Sequence, residues 1–232
     1  MQKPLPQRQD PQGRKHIASE IQTVMFTDMV GYTSATASLN RADFTDLLDV
    51  FEKLSIPVFD KHQGHVVKKI GDAYLVTFKS PTDAVLCGID LQRTFKRYRV
   101  QSQQPVRIRV AIHTGEVLIR DNDVYGDAVN TASRIEGVAN ADQVVFSEAV
   151  FLAMNKNEVP ALYLGMKHLK GLPFPIRIFR VKTLEDERRI RWNAFQSMFS
   201  RFLVIGVLAV LLVLVFRYLW LYTDFFSIIF GG

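Results

Sequence analysis

A short hairpin signal limits most strongly what this chain can fold into. Two apolar runs rich in β-branched and aromatic residues, 66–70 and Ala73–Phe78, are separated only by Gly71 and Asp72. Glycine readily adopts the positive φ that a two-residue turn between antiparallel strands requires. The pattern therefore predicts two paired strands with the Asp72 carboxylate at their tip, where it could bind a cation or face solvent as an ordinary turn residue.

A second acid lies at the end of another predicted strand, residues 23–29. The run reads TVMFTDM, so that Asp28 lies near its end, and Gly31 follows it. Glycine allows a turn in which successive backbone N–H groups face an anion, although a plain strand-to-helix loop would look the same. Carboxylates at adjacent strand ends suit Mg²⁺, which takes few carboxylate ligands and completes its shell with phosphate and water.

The remaining pattern defines the fold class. Apolar residues recur at helical spacing after the capping residues Asn40 and Ser80, and again over 126–138. Further strands are predicted over residues 106–113, 116–120, 144–146, 161–169 and 176–181. The order predicts an α+β protein, a ferredoxin-like split βαββαβ sheet with additional strands and helices, and with its helices packed on one face.

The C-terminal part differs in composition. Residues 202–216 carry no charge, and the apolar run resumes after Arg217 and continues to residue 222. As a helix, 202–222 would be about 31 Å long, which matches a hydrocarbon core of about 30 Å. Arginines precede the run: Arg188, Arg189, Arg191 and Arg201. The positive-inside rule then predicts one transmembrane helix in the cell membrane and a cytoplasmic domain before it, the alternative being a buried dimerisation helix.

Composition and charge limit the partners, disulfides and metal sites that the chain can have, and indicate its segments. The net charge of +6 is concentrated near the two ends and beside the apolar run, which favours a membrane surface over nucleic acid as partner. The single cysteine, Cys87, excludes an internal disulfide, and the five histidines lack zinc-site spacing. We expect these segments: a flexible lead-in (1–19), a folded domain (20–183), a basic juxtamembrane segment (184–201), a transmembrane helix (202–222) and a short tail (223–232).

Three blocks of sequence resemble the signature blocks of the class III nucleotidyl cyclases. They are residues 26–33 (FTDMVGYT), 68–72 (KKIGD) and 123–134 (DVYGDAVNTASR). The resemblance extends over about residues 21–181, in order and without large gaps. It implies the cyclase fold, in agreement with the βαββαβ order, and an enzyme that closes a 3′,5′ ring on a nucleoside triphosphate and releases pyrophosphate.

The resemblance also implies roles for single residues. Asp28 and Asp72 would bind two Mg²⁺ or Mn²⁺ ions per active site. Asn130 would orient the ribose, and Arg134 would stabilise the charge that develops on the α-phosphoryl oxygens. The remaining substrate-binding positions are Gly31, Tyr32, Thr33 and, at the place of a lysine that contacts the outer phosphates, Lys170.

Lys68 and Asp123 stand at the positions that recognise the purine in this family. A lysine can donate to adenine N1 and a carboxylate can accept from the 6-amino group, whereas guanine presents the reverse pattern. The pair therefore favours ATP over GTP. Because Lys69 follows directly and one of two neighbouring strand residues must face outward, Lys68 could also be an ordinary surface lysine.

In this family the metal-binding acids and the base-reading residues of one site come from different chains. This chain carries both sets, which implies a homodimer with two equivalent sites. The sequence thus predicts a membrane-anchored adenylate cyclase. The alternatives are a guanylate cyclase, a catalytically silent cyclase-like module that dimerises or senses, and a diguanylate cyclase, whose GG[DE]EF signature is absent.

Overall fold

The computed structural model describes residues 18–31 and 41–189 continuously. Further along it describes residues 191–192, 195–196, 198–199, 202, 206, 208, 210–215 and 217–218. The chain divides into two compact units, Met1–Val181 and Lys182–Gly232. The predicted lead-in and the predicted tail fall almost entirely outside the described residues.

The first unit contains one mixed sheet and the helices that cover it. In chain order its elements are β1 (Ala18–Val30), α1 (Arg41–Lys61), β2 (His65–Ile70), β3 (Ala73–Phe78), α2 (Pro81–Ser102), β4 (Arg107–Arg120), β5 (Asp123–Tyr125), α3 (Asp127–Glu136), β6 (Val144–Ser147), α4 (Glu148–Ala153), β7 (Ala161–Lys167) and β8 (Ile176–Val181). The eight-stranded sheet has the order β2-β3-β1-β4-β6-β8-β7, and β5 pairs with β4. The part β2-β3-β1-β4 is antiparallel throughout, which is the predicted split βαββαβ arrangement.

The prediction that the helices pack on one face is wrong. Successive side chains of a strand point to opposite faces, and both faces of β1 are buried. Met25 and Met29 pack with residues of α1, α2 and α4. Val24 and Phe26 instead pack with α3, in a group that we call the α3 cluster and that includes Val24, Phe26, Ala128, Ala132, Ile135 and Leu169. The sheet therefore has α3 on the face opposite the other three helices.

The prediction of two separate strands over 106–113 and 116–120 is also wrong, because β4 runs unbroken through the residues between them, Thr114 and Gly115. Gly115 pairs with Gln22 of β1. A Cβ atom on Gly115 would lie 3.0 Å from the Cβ of Ala128 in α3. The glycine thus allows close packing of α3 on the strand. The chain reverses later, at Asp121 and Asn122, which have φ values of 52° and 60°.

The second unit, Lys182–Gly232, is described in part. Its helical residues begin with a capping box, in which the Thr183 amide donates to Asp186 Oδ2 at 2.9 Å and the Asp186 amide donates to Thr183 Oγ1 at 3.3 Å. Among the described residues, no helix combines the length and the apolar character that crossing a membrane requires. Much of the predicted span 202–222 lies outside the described residues, so the transmembrane helix stays a prediction.

Candidate active site

The two acids lie together at one end of the sheet. Asp28 of β1 is in register with Ala73 of β3 on one side and with Arg109 of β4 on the other. Asp72 precedes β3 in a turn where Gly71 has a φ of 60°. The Met29 amide donates to the Asp72 carbonyl at 3.2 Å, which fixes the hairpin tip beside β1. The register between β1 and β3, together with the turn that holds Asp72, thus brings both carboxylates to the same sheet end.

An arginine and a third acid, which sequence reasoning missed, complete this group. Arg109 donates to Asp28 Oδ2 from Nε at 2.8 Å and from Nη2 at 2.5 Å. Its Nη2 also lies 2.5 Å from Oε1 of Glu136, the last residue of α3. We call Asp28, Asp72, Arg109 and Glu136 the acidic group.

The electrostatics of the acidic group fit a divalent cation. Burial raises the pKa of the Asp72 carboxyl, and the neighbouring negative charge of Asp28 raises it further. Burial likewise raises the pKa of Glu136; Arg109 opposes this shift, whereas Asp28 and Asp72 add to it. Two of the three carboxylates contact the one guanidinium, and a bound cation would relieve the repulsion among all three.

The same group does not form a closed cage. Within the described ranges, no cluster of three or more ligating side chains is arranged to hold a metal by itself. Mg²⁺ keeps several water or phosphate ligands and needs only one or two carboxylates. Asp28 and Asp72 therefore suit a metal ion that takes its remaining ligands from water or phosphate.

The two residues predicted to read the purine are in direct contact. Lys68 Nζ in β2 donates to Asp123 Oδ2 in β5 at 2.6 Å. Asp123 Oδ1 accepts from the Val124 amide at 2.8 Å. The Tyr125 ring centroid lies 5.9 Å from Lys68 Nζ. Burial would raise the pKa of Asp123, but the hydrogen bonds from Lys68 and Val124 outweigh it and lower the pKa, which favours the carboxylate form.

The neighbouring lysine has a different environment. Lys69 Nζ lies 2.9 Å from Glu52 Oε2 of α1 and 5.6 Å from the Tyr74 ring centroid. The ladder between β2 and β3 contains an irregularity between Val66 and Lys68. Lys69 therefore turns toward α1, while Lys68 turns toward the β4–β5 hairpin. Of the two lysines, Lys68 is the one placed beside a second predicted site residue.

Helix α3 presents the two predicted catalytic residues to the outside of the chain. Its inner side is buried through Ala128, Ala132 and Ile135. Asn130 and Arg134, four residues apart and hence on one face, are both exposed. Neither side chain forms a hydrogen bond or ion pair with any other described residue. The helix thus directs Glu136 inward, to Arg109, and directs Asn130 and Arg134 outward.

The remaining predicted substrate-binding residues are Lys170 and the residues that follow β1. Lys170 is exposed in the turn between β7 and β8, next to Leu169, which is buried in the α3 cluster. Gly31 follows β1 with a φ of 81°. Tyr32 and Thr33 lie outside the described residues. Across the described residues, no hydrogen bond or ion pair joins the acidic group to the Lys68–Asp123 pair, so one chain presents its predicted site residues as separate groups.

The chain is similar in sequence to one known family and to several known proteins. The adenylate and guanylate cyclase catalytic domain family matches residues 16–183. Serine/threonine-protein kinase pkn2 of Myxococcus xanthus is 37% identical over 160 residues, which are 68% of this chain and 19% of that protein. Putative adenylate cyclase 3 of Rhizobium meliloti (strain 1021) is 26% identical over 169 residues, which are 72% of this chain and 29% of that protein. The chain thus spans less than a third of either relative's length.

Solved structures with a similar fold include both substrate classes. The adenylyl cyclase CyaB from P. aeruginosa superposes with a TM-score of 0.66 at 26% identity, covering 72% of this chain and 96% of that chain. The guanylyl cyclase Cya2 superposes with a TM-score of 0.65 at 25% identity, covering 71% of this chain and 93% of that chain. Because the two scores are nearly equal, the fold does not distinguish ATP from GTP.

Proposed function

Because this chain belongs to the family of adenylate and guanylate cyclase catalytic domains, we propose that it is an adenylate cyclase that converts ATP to 3′,5′-cyclic AMP and pyrophosphate. One observation supports ATP in particular: the 2.6 Å contact between Lys68 and Asp123. It places one cationic donor and one anionic acceptor side by side. Adenine N1 and its 6-amino group form the matching acceptor and donor, whereas guanine would meet a donor with its N1–H and an acceptor with its 6-oxo group.

The acidic group provides the metal site of the proposed reaction. Asp28 and Asp72 would hold two Mg²⁺ or Mn²⁺ ions. When bound, these ions supply the positive charge that acidifies the ribose 3′-hydroxyl and neutralises the triphosphate. Arg109 neutralises part of the carboxylate charge and keeps the Asp28 side chain oriented. The 3′-hydroxyl loses its proton to water and its oxygen attacks the α-phosphorus in line. The bond between the α-phosphorus and the oxygen that bridges it to the β-phosphorus breaks, and pyrophosphate leaves with that oxygen.

The remaining roles require a second copy of the chain. Asn130 would orient the ribose, and Arg134 would stabilise the charge that develops on the α-phosphoryl oxygens. Both side chains point away from their own sheet and are exposed. A homodimer with two-fold symmetry could bring α3 of one copy to the acidic group of the other, twice. Lys170, in an exposed turn, and Gly31 would contact the phosphates.

A cyclic-nucleotide assay with the purified full chain tests this proposal. We expect cyclic AMP from ATP as the main product with Mg²⁺ or Mn²⁺. Asp72→Asn should reduce the rate at least about a hundredfold, since metal-ion catalysis contributes several kcal/mol to the transition state. Asp49→Asn, which changes an exposed acid of α1, should leave the rate unchanged. Cyclic GMP as the main product, or no product from a folded dimer, would overturn the proposal.

We also propose that residues 202–222 anchor the chain in the cell membrane with the cyclase domain in the cytoplasm. The uncharged run 202–216 and the arginines before it support this. After expression in cells, the full chain should stay in the membrane pellet through an alkaline carbonate wash, and a chain that ends at residue 183 should not. Release of the full chain by carbonate would contradict the anchor.

A further inference from the structure

Arg109 contacts two carboxylates, and only one of them is a proposed metal ligand. Both of its hydrogen bonds to Asp28 go to Oδ2, from Nε at 2.8 Å and from Nη2 at 2.5 Å. Its Nη2 also lies 2.5 Å from Glu136 Oε1. Since the guanidinium occupies Oδ2, a cation that binds Asp28 would lie close to a permanent positive charge, and the two would repel each other.

Glu136 lies at a position that is unfavourable for a negatively charged side chain. It is the last residue of α3, where the helix dipole disfavours negative charge. Its side chain is only 20% exposed, so it has also lost most of its hydration. A neutral residue would be more stable here if packing were the only requirement. The ion pair with Arg109 opposes these costs in part, since the pKa of Glu136 still stays raised.

We propose that Glu136 is a positioning residue, which retains the Arg109 guanidinium when a divalent cation binds Asp28 and thereby raises the affinity of the metal site. This inference rests on the proposed function, because it takes Asp28 as a metal ligand. With Glu136 present, Arg109 has a second carboxylate to bind as it loosens from Asp28. Without that charge, Arg109 has only Asp28 and competes with the cation for it.

A double-mutant cycle separates this role from two others, in which Glu136 binds the cation directly or acts only through its charge. The probe is Mn²⁺ alone, measured by the EPR signal of the free ion with the full chain and no nucleotide. The four proteins are the wild type, Glu136→Gln, Arg109→Met and the double variant. Because residues in contact are energetically coupled, we expect Glu136→Gln to raise the Mn²⁺ Kd about tenfold in the wild-type background and less than about threefold when Arg109 is Met.

A remote pair of the same type provides the matched control. Glu148 and Arg177 form an ion pair of 2.6 Å on the surface, in α4 and β8. Glu148→Gln should leave the Mn²⁺ Kd unchanged. Thermal unfolding of every variant shows that it folds, and Arg109→Gln replaces Arg109→Met in the cycle if the latter does not fold.

The outcomes distinguish the inference from the proposed function. The positioning role would be overturned if Glu136→Gln lowered the Mn²⁺ affinity equally in the wild type and in Arg109→Met, or in neither of them. The proposed metal site would stand in both cases. If the wild type does not bind Mn²⁺, or if Asp28→Asn binds it as the wild type does, the proposed metal site fails and the inference fails with it.

Discussion

Two inactive variants should restore activity when they are combined in one dimer. Asp72→Asn removes a metal ligand from the acidic group, and Arg134→Ala removes the exposed guanidinium of α3. If each site takes its acids from one chain and its Arg134 from the other, a mixed dimer has one intact site and one site that lacks both groups. A dimer with two equivalent sites should then keep about half of the wild-type rate.

The experiment uses co-expression with two different affinity tags. Sequential purification on both tags yields only mixed dimers, whose cyclic AMP production is compared with that of each variant alone. The control combines Asp28→Asn with Asp72→Asn. Both acids belong to the same acidic group, so every site of that dimer lacks one ligand and the dimer should stay inactive. If the mixed dimer of Asp72→Asn and Arg134→Ala is inactive, or if the control is active, then each site does not take its acids from one chain and its Arg134 from the other.

Local chemistry made much of this architecture predictable. The Gly71-Asp72 turn and the strand that contains Asp28 depend on residues adjacent in sequence. The structure has the turn where it was predicted, and β1 contains the predicted strand 23–29 but begins earlier, at Ala18. The helix start at Ser80 was equally local: Ser80 Oγ accepts from the Asp83 amide at 3.2 Å. Where turn and capping chemistry fixes the backbone, sequence alone is sufficient.

What the sequence did not reveal depends on packing between distant segments. Arg109 and Glu136 each look like ordinary polar positions of a strand and a helix end, and their importance appears only when the β1–β4 register and the position of α3 are known. Two strands were predicted on either side of Thr114 and Gly115, but Gly115 lies within one strand and allows its contact with Ala128. The placement of α3 was wrong because a strand buried on both faces has no polar alternation to indicate a second layer.

The second large expected effect is a reversal of nucleotide preference when the charges of Lys68 and Asp123 are exchanged. The double variant Lys68→Glu, Asp123→Lys keeps one cation and one anion between β2 and β5, so the ion pair that joins them can still form. It presents an acceptor where adenine N1 needs a donor, and that acceptor matches the N1–H of guanine. In the single chain the pair is partly exposed, with 41% of Lys68 and 24% of Asp123 accessible, but a bound base would cover it. Each mismatched hydrogen bond would then cost about 1–3 kcal/mol, so the ratio of kcat/KM for ATP over GTP should fall at least about a hundredfold.

Steady-state rates of cyclic AMP and cyclic GMP formation measure that ratio directly. Lys69→Gln is the matched control, since Lys69 pairs with Glu52 of α1 and is not in contact with Asp123 among the described contacts. It should leave the ratio unchanged. Lys68→Glu alone places two carboxylates side by side and should weaken turnover of both nucleotides. If the exchanged variant folds, dimerises and still prefers ATP, then the 2.6 Å pair serves only to join two strands. The base would then be read by other residues, and the main support for ATP as substrate would be lost.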